Sequence, residues 1–214
     1  MSALIDGVGC WAWTGPVRFD GRAALFLDRD GVIVEETDYL GRPQDVALIP
    51  TAGETIAAFN GAGVPVIVVT NQSGVGRGYF SWDDFEAVQA EIAARLATFG
   101  AHVDAVFACA FHKKGLGDMA VADHPWRKPG AGMLYEAHAR LGVALERSFI
   151  VGDKDSDLGA GRAAGLMGGL HVSTGHGDAT HRAEALALQT SAFEVRLGDD
   201  IGAAKVLLTR LAGA

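Results

Sequence analysis

Positive charge is in short supply in this sequence. Eighteen lysines and arginines stand against 26 aspartates and glutamates, a formal net charge of -8. An acidic protein repels nucleic-acid backbones and anionic membranes unless a local basic patch overrides the field. The longest basic cluster is His112-Lys113-Lys114, too short for such a footprint. Neither nucleic acid nor a membrane surface is therefore expected as a partner. Cysteine is scarcer still. Cys10 and Cys109 alone cannot build a disulfide framework, and they fit a reducing compartment where thiols stay free. The start of the chain lacks the basic opening and long apolar stretch of a signal peptide. No apolar run approaches the length that spans a bilayer. The expectation is a soluble, cytoplasmic protein, a monomer or a small homo-oligomer.

What is present is enough apolar residue for one large core: 49% of 214 residues, with 21% charged. That length suits one α/β domain, with or without a small lid. Residues 1–21 hold Trp11, Trp13, Gly15 and Pro16 without a sustained period, and read as an N-terminal arm. A domain over residues 22–214 follows. Within it, short apolar runs recur at Ala23–Leu27, Val64–Val69, Val103–Cys109, Ser148–Val151 and Gly169–Val172. Helical patterns lie between them, over Gly53–Phe59, Met133–Leu141 and Ser156–Ala164. A further helix is capped by Ser81 with Asp84 three residues on, its face marked by Phe85, Val88, Ile92, Leu96 and Phe99. Continuous apolar strands alternating with amphipathic helices predict a Rossmann-like α/β fold, a parallel sheet sandwiched between helices. Ligands of such sheets sit at the carboxyl ends of the strands.

The residues at those ends are polar in a specific way. Asp28-Arg29-Asp30-Gly31 follows the first run, and two aspartates spaced by one residue point to the same side if the backbone stays extended. Thr70-Asn71-Gln72-Ser73-Gly74 follows the second, Arg127-Lys128-Pro129 lies in a later turn, and Gly152-Asp153-Lys154-Asp155-Ser156-Asp157 follows the fourth run. Each piece alone reads equally as a turn or a helix cap. Together they bring carboxylates suited to Mg²⁺ to a Lys and polar donors suited to a phosphoryl group. Asp28 is then a candidate nucleophile and Asp30 a candidate general acid and base.

In order and context, Phe26-Leu27-Asp28-Arg29-Asp30-Gly31-Val32, Val69-Thr70-Asn71, Lys128 and Gly152-Asp153 with Asp157 resemble the four motifs of the haloacid-dehalogenase-like (HAD-like) phosphatases. The run from Thr70 to Phe80, with Arg127-Lys128-Pro129 and Gly152-Asp153-Lys154, is similar to the branch of D,D-heptose 1,7-bisphosphate phosphatases and histidinol-phosphate phosphatases. The resemblance implies a Mg²⁺-dependent phosphatase of small sugar phosphomonoesters, with an aspartyl-phosphate on Asp28 and Asp30 as acid and base. It implies Mg²⁺ held by Asp28, the Asp30 carbonyl and Asp153, with Asp157 supporting the metal's water shell. Thr70, Asn71 and Lys128 would hold the phosphoryl group. Arg29, Gln72, Ser73, Arg127 and Lys154 would contact substrate, and the loop Glu36-Thr37-Asp38-Tyr39 would meet the sugar. No long insertion follows the first strand, so no large cap domain is expected.

The sequence departs from that branch at one place. A zinc loop of the form Cys-x-His and Cys-x-Cys is usual there, but here Phe111 and Trp126 stand at ligand positions. The expectation is a loop plugged by those two rings, without zinc. A displaced Cys109, His112 and His124 set is the remaining alternative. Three other readings of the chain fit it less well. A receiver-type phosphoacceptor is disfavoured by the aspartate two residues after Asp28. A nucleic-acid 3′-phosphatase is disfavoured by the acidic charge, and a degenerate binding protein by the filled catalytic positions.

Overall fold

In the computed structural model, which describes residues 2–213, the chain folds around one eight-stranded sheet. In chain order the elements are β1 (Ser2–Leu4), β2 (Cys10–Thr14), β3 (Leu25–Leu27), α1 (Ala52–Gly61), β4 (Val66–Asn71), α2 (Ser73–Gly76), α3 (Trp82–Ala97) and β5 (Ala105–Cys109). They continue with α4 (Gly132–Leu141), β6 (Phe149–Gly152), α5 (Asp155–Ala163), β7 (Gly168–Val172), α6 (Ala179–Leu186), β8 (Glu194–Gly198) and α7 (Leu208–Ala212). The strand order is β1-β2-β5-β4-β3-β6-β7-β8. From β5 to β8 every pairing is parallel, and β1 and β2 join antiparallel at the β5 edge.

The strands read as unbroken apolar runs because both faces of the sheet are covered. Leu25, Leu27, Val66, Val68, Phe149 and Val151 face one core, under Ile56 and Phe59 of α1 and Phe85, Val88 and Ile92 of α3. Phe26, Ile67, Val69 and Ile150 face the other, under Met133, Leu134 and Ala137 of α4 and Leu158 of α5. The expected capping box is formed. Asp84 N–H donates to Ser81 Oγ at 3.1 Å, and Ser81 N–H donates to Asp84 Oδ2 at 2.8 Å. Phe99 departs from the expected helical face. It lies past the end of α3 and is 46% exposed.

The larger difference is at the ends of the chain. The segment expected as an arm supplies β1 and β2 to the main sheet, with Trp11 and Trp13 against one core and Cys10 and Ala12 against the other. Its alternation is of large against small apolar residues, not apolar against polar, so hydropathy has no period there. Residues beyond 172, for which no element was expected, form α6, β8 and α7. Between β3 and α1 there is only one short 3-10 turn, Pro43–Asp45, and no cap domain. No helix among the described residues is long and apolar enough to cross a membrane.

Candidate active site

The parallel register brings the ends of β3, β4 and β6 side by side. Leu27 pairs with both Val68 and Val151, so Asp28, Thr70 and Asp153 emerge at one rim. Thr70 and Asn71 are the last two residues of β4, and Gly152 is the last of β6. At this rim Lys128 Nζ has three partners, Val69 O at 2.8 Å, Asp28 Oδ1 at 2.9 Å and Asp157 Oδ1 at 2.6 Å. Burial alone would push the ammonium's pKa down, but the carboxylates of Asp157 and Asp28 outweigh it and hold it above its usual value. Asn71 clasps the Lys128 backbone from both sides, its Oδ1 accepting from Lys128 N–H at 3.0 Å and its Nδ2 donating to Lys128 O at 3.2 Å.

Asp28, Asp153 and Asp157 bring carboxylate oxygens within 4.8 Å of one another, all buried. Their surroundings distinguish them. Asp157 has both oxygens engaged, one by Lys128 and the other by Lys154 N–H at 3.0 Å. Expected beside the metal's water shell, it lies next to Asp28 and Asp153 and holds Lys128 and the start of α5. Asp153 Oδ2 accepts from His176 N–H at 2.7 Å, while its Oδ1 is buried without a hydrogen-bond partner. A buried carboxylate oxygen left bare is costly, and burial followed by the charges of Asp28 and Asp157 raises the Asp153 pKa to about 8. A hard divalent cation relieves that cost. Asp28 and Asp153 therefore fit Mg²⁺ by chemistry and by the partnerless oxygen.

Asp30 and Arg29 stand one step back. Arg29 Nε donates to Asp30 Oδ1 at 2.9 Å and Nη2 to Asp30 Oδ2 at 3.0 Å, while Gln72 Nε2 donates to Asp30 Oδ2 at 2.9 Å and to Thr70 Oγ1 at 2.8 Å. Arg29 was expected to contact substrate. It is 1% exposed, bonded also to Gln89 Oε1 and lying over the Phe85 ring, and it reaches the cleft wall with its fork held on Asp30. Arg127 is placed differently, its Nη1 donating to Phe111 O at 3.0 Å, and it is not part of the cleft wall.

That cleft, about 170 Å³, is walled by Arg29, Asp30, Glu36, Asp38, Tyr39, Asn71, Gln72, Ser73, Lys154 and His176. It thus gathers Glu36, Tyr39, Gln72, Ser73 and Lys154 as the sequence led one to expect. Burial, then the charge of Asp30, raises the Glu36 pKa. Asp38 and Tyr39 take positive φ (45° and 74°), an unusual backbone for residues with side chains. Tyr39 packs edge-on to Tyr79, and Arg77 lies over both rings.

Sequence reasoning missed the segment after β7. Thr174 Oγ1 donates to Gly31 O at 2.5 Å, His176 reaches Asp153, and the His176 ring stands 3.4 Å from Glu36. Gly31 and Gly175 permit this contact. A Cβ on Gly31 would come within 2.6 Å of Asp153 Oδ2. The signal was available, since Ser173-Thr174-Gly175-His176 directly follows an expected strand.

At the zinc-loop positions both rings pack inward. Phe111 is buried at 5% exposure and Trp126 meets Phe107 edge-on, as plugging rings would. Cys109, His112 and His124 do not form a three-ligand group among the described residues. His124 instead approaches Asp6 and Cys10.

Comparison with known proteins agrees with this geometry. Residues 125–194 match the HAD-hydrolase-like family model. A relative from Mesorhizobium japonicum, named D-glycero-beta-D-manno-heptose-1,7-bisphosphate 7-phosphatase, is 52% identical over 70% of this chain and 69% of its own. A solved HAD-like protein of Mesorhizobium loti superposes with a TM-score of 0.84 at 43% identity, covering 96% of this chain and 94% of that one. The D,D-heptose 1,7-bisphosphate phosphatase of B. bronchiseptica, solved with magnesium and phosphate, gives 0.73 at 31% identity, over 87% and 98%. With its fold, its strand-end carboxylates and these relatives in agreement, the chain belongs to the HAD-like phosphatases, in the branch of the heptose bisphosphate phosphatases.

Proposed function

We propose that this protein is a Mg²⁺-dependent phosphatase that removes the 7-phosphate of D-glycero-D-manno-heptose 1,7-bisphosphate through an aspartyl-phosphate on Asp28. The observation that carries the reading is the position of Asp28, between the Lys128 cation and the partnerless oxygen of Asp153. Asp28 and Asp153, with the Asp30 carbonyl, would hold Mg²⁺. When bound, the ion neutralises carboxylates that must face a phosphate dianion.

The chain's own groups perform the transfer. An Asp28 carboxylate oxygen bonds to phosphorus as the P–O bond to the sugar breaks. Asp30, rotating away from Arg29, gives its proton to the departing alkoxide. It then takes a proton from the water that attacks the acyl-phosphate, which releases inorganic phosphate and frees Asp28. Thr70, Asn71, Ser73 and Lys128 surround the phosphoryl oxygens. Gln72 keeps Asp30 in register, while Lys154, Glu36, Tyr39 and His176 line the path of the sugar. Arg29 serves through Asp30, and Arg127 through the backbone of Phe111.

The test is turnover against both anomers of the heptose bisphosphate, histidinol phosphate and a 3′-phosphorylated oligonucleotide. The β anomer is the first expectation, because the 52%-identical relative is named for it. Asp28→Asn should abolish turnover in a folded protein, and mass spectrometry of quenched wild-type enzyme should place phosphate on Asp28. A higher kcat/KM for histidinol phosphate would replace the substrate. Phosphate trapped on another residue would replace the mechanism.

A further inference from the structure

The two cysteines of the chain, far apart in sequence, meet across the ladder that joins the N-terminal hairpin to the parallel sheet. Cys10 opens β2, Cys109 closes β5, and the antiparallel register sets them directly opposite each other. Both are free and buried, and both side chains lie in the core under α4. The hydrogen bonds at the two ends of the ladder fix the kind of pair. Ala110 N–H donates to Gly9 O at 2.8 Å, and Gly15 N–H donates to Asp104 O at 2.9 Å. Continued by one residue at each end, the register sets Gly9 opposite Ala110 and Gly15 opposite Asp104, so these are hydrogen-bonded pairs. The two kinds of pair alternate along an antiparallel ladder, which makes Cys10 and Cys109 a non-hydrogen-bonded pair. The Cα atoms of such a pair stand about 4.5 Å apart, inside the window of about 4.4–6.8 Å that a disulfide spans.

We propose that Cys10 and Cys109 form a reversible disulfide that latches the N-terminal hairpin to β5 under oxidising conditions. A small disulfide such as oxidised glutathione supplies the oxidation. One cysteine, as thiolate, attacks it, giving a mixed disulfide and one glutathione thiol. The second cysteine then attacks the mixed disulfide, closing the Cys10–Cys109 bond and releasing the second glutathione thiol. Two electrons and two protons leave the protein, and the glutathione disulfide takes them up as it becomes two thiols. In the closed native state neither cysteine is ready to react. Burial, then the charge of Asp6, which also accepts a hydrogen bond from the Cys10 thiol, pushes that thiol far above its usual range. Burial likewise raises Cys109 to about 11. The hairpin, however, forms one edge of the sheet, where fraying starts. Lifting β2 from β5 brings both thiols to water, and reclosure returns the sulfurs to bonding distance. The latch therefore forms on chains whose hairpin has opened, and holds it shut afterwards. It closes a loop of about 100 residues, long enough for a large loss of unfolded-state entropy. Gln72 N–H donates to Cys109 O at 2.7 Å, so the latched strand is the one beside the residue that holds Asp30.

The test equilibrates the full-length protein in glutathione buffers of rising oxidised fraction, then alkylates and digests it for mass spectrometry. One cross-linked peptide pair, Cys10 to Cys109, should appear and be reversed by dithiothreitol. The oxidised protein should melt roughly 4–16 °C above the reduced one, the shift for a long closed loop in a domain of this size. Trp11→Ala, which loosens the hairpin without touching the cleft, should form the cross-link at least roughly tenfold faster. Cys10→Ser and Cys109→Ser should each show no rise in Tm on oxidation. A glutathione adduct without the cross-link, a disulfide between chains in its place, or an oxidised wild type that melts no higher than the reduced would overturn the latch. An unchanged rate in Trp11→Ala would reject its gating by the hairpin. If neither serine variant folds, the peptide map and melting shift of the wild type decide alone.

Discussion

Asp153 concentrates the electrostatic conflict of the site in one side chain. Its carboxyl is fully buried beside two other carboxylates and titrates near pH 8, against an ordinary value of 3.8. The sign of the consequence follows by linkage. Between about pH 4 and pH 8 the metal-free folded protein keeps the Asp153 proton while the unfolded chain has lost it, so stability falls as pH rises through that window. A cation that favours the ionised carboxylate should reverse the trend. The rise in Tm on adding Mg²⁺ to EDTA-treated protein should therefore be clearly larger at pH 8 than at pH 5. An equal rise at both would mean that Asp153 does not hold the ion. Asp30 gives a second expectation. Asp30→Asn should lower turnover by roughly 10²–10⁴-fold for a lost general acid and base. The loss in the first step should be smaller for an aryl phosphate, whose leaving group needs no proton. Full activity of this variant on an alkyl phosphate would remove Asp30 from its role.

At the scale of elements, what could be read in the sequence followed what each signal depends on. Ser81 and Asp84 mark the start of α3 because a cap is a local hydrogen-bond pattern, and the strand ends at Asp28, Thr70 and Asp153 are abrupt changes from apolar to polar. Arg29 reaches the cleft wall with its fork on Asp30, and Arg127 donates to Phe111 O; neither placement was legible, because sequence gives a side chain's charge but not the direction it faces. The hairpin escaped because its alternation is in size. Trp11 anchors it, stacked on Trp82, edge-on to Phe85 and donating to Glu86 Oε1 at 2.8 Å. Trp11→Ala should cost about 3–5 kcal/mol, as large buried aromatics do. Trp126 is only partly buried and should cost less, about 1–3 kcal/mol on the same scale. Urea denaturation of both variants checks the order, and a larger loss for Trp126→Ala would place the main clamp in the loop instead.

For the whole molecule, the conjunction of four distant segments at one rim was legible, since a parallel sheet has only one end at which strand-to-helix turns can meet. The closing segment after β7 was not, because Thr174 and His176 act through contacts to Gly31 and Asp153 that only the folded chain creates. An open cleft without a cap leaves selectivity to the residues of its walls. The strand order has a further consequence, which concerns how the protein comes apart. β4, β3 and β6 occupy the middle of the sheet, three strands in from one edge or two in from the other. Fraying that begins at β1 or β8 must cross several ladders before it loosens Asp28 or Asp153. The backbone amide of Asp28, which donates to Val151 O at 2.9 Å, should therefore exchange with deuterated solvent only when the whole domain opens. Its protection should equal the global unfolding free energy, while the amides of β1 exchange far sooner. Reactive geometry is in this way tied to the part of the molecule that is last to let in water.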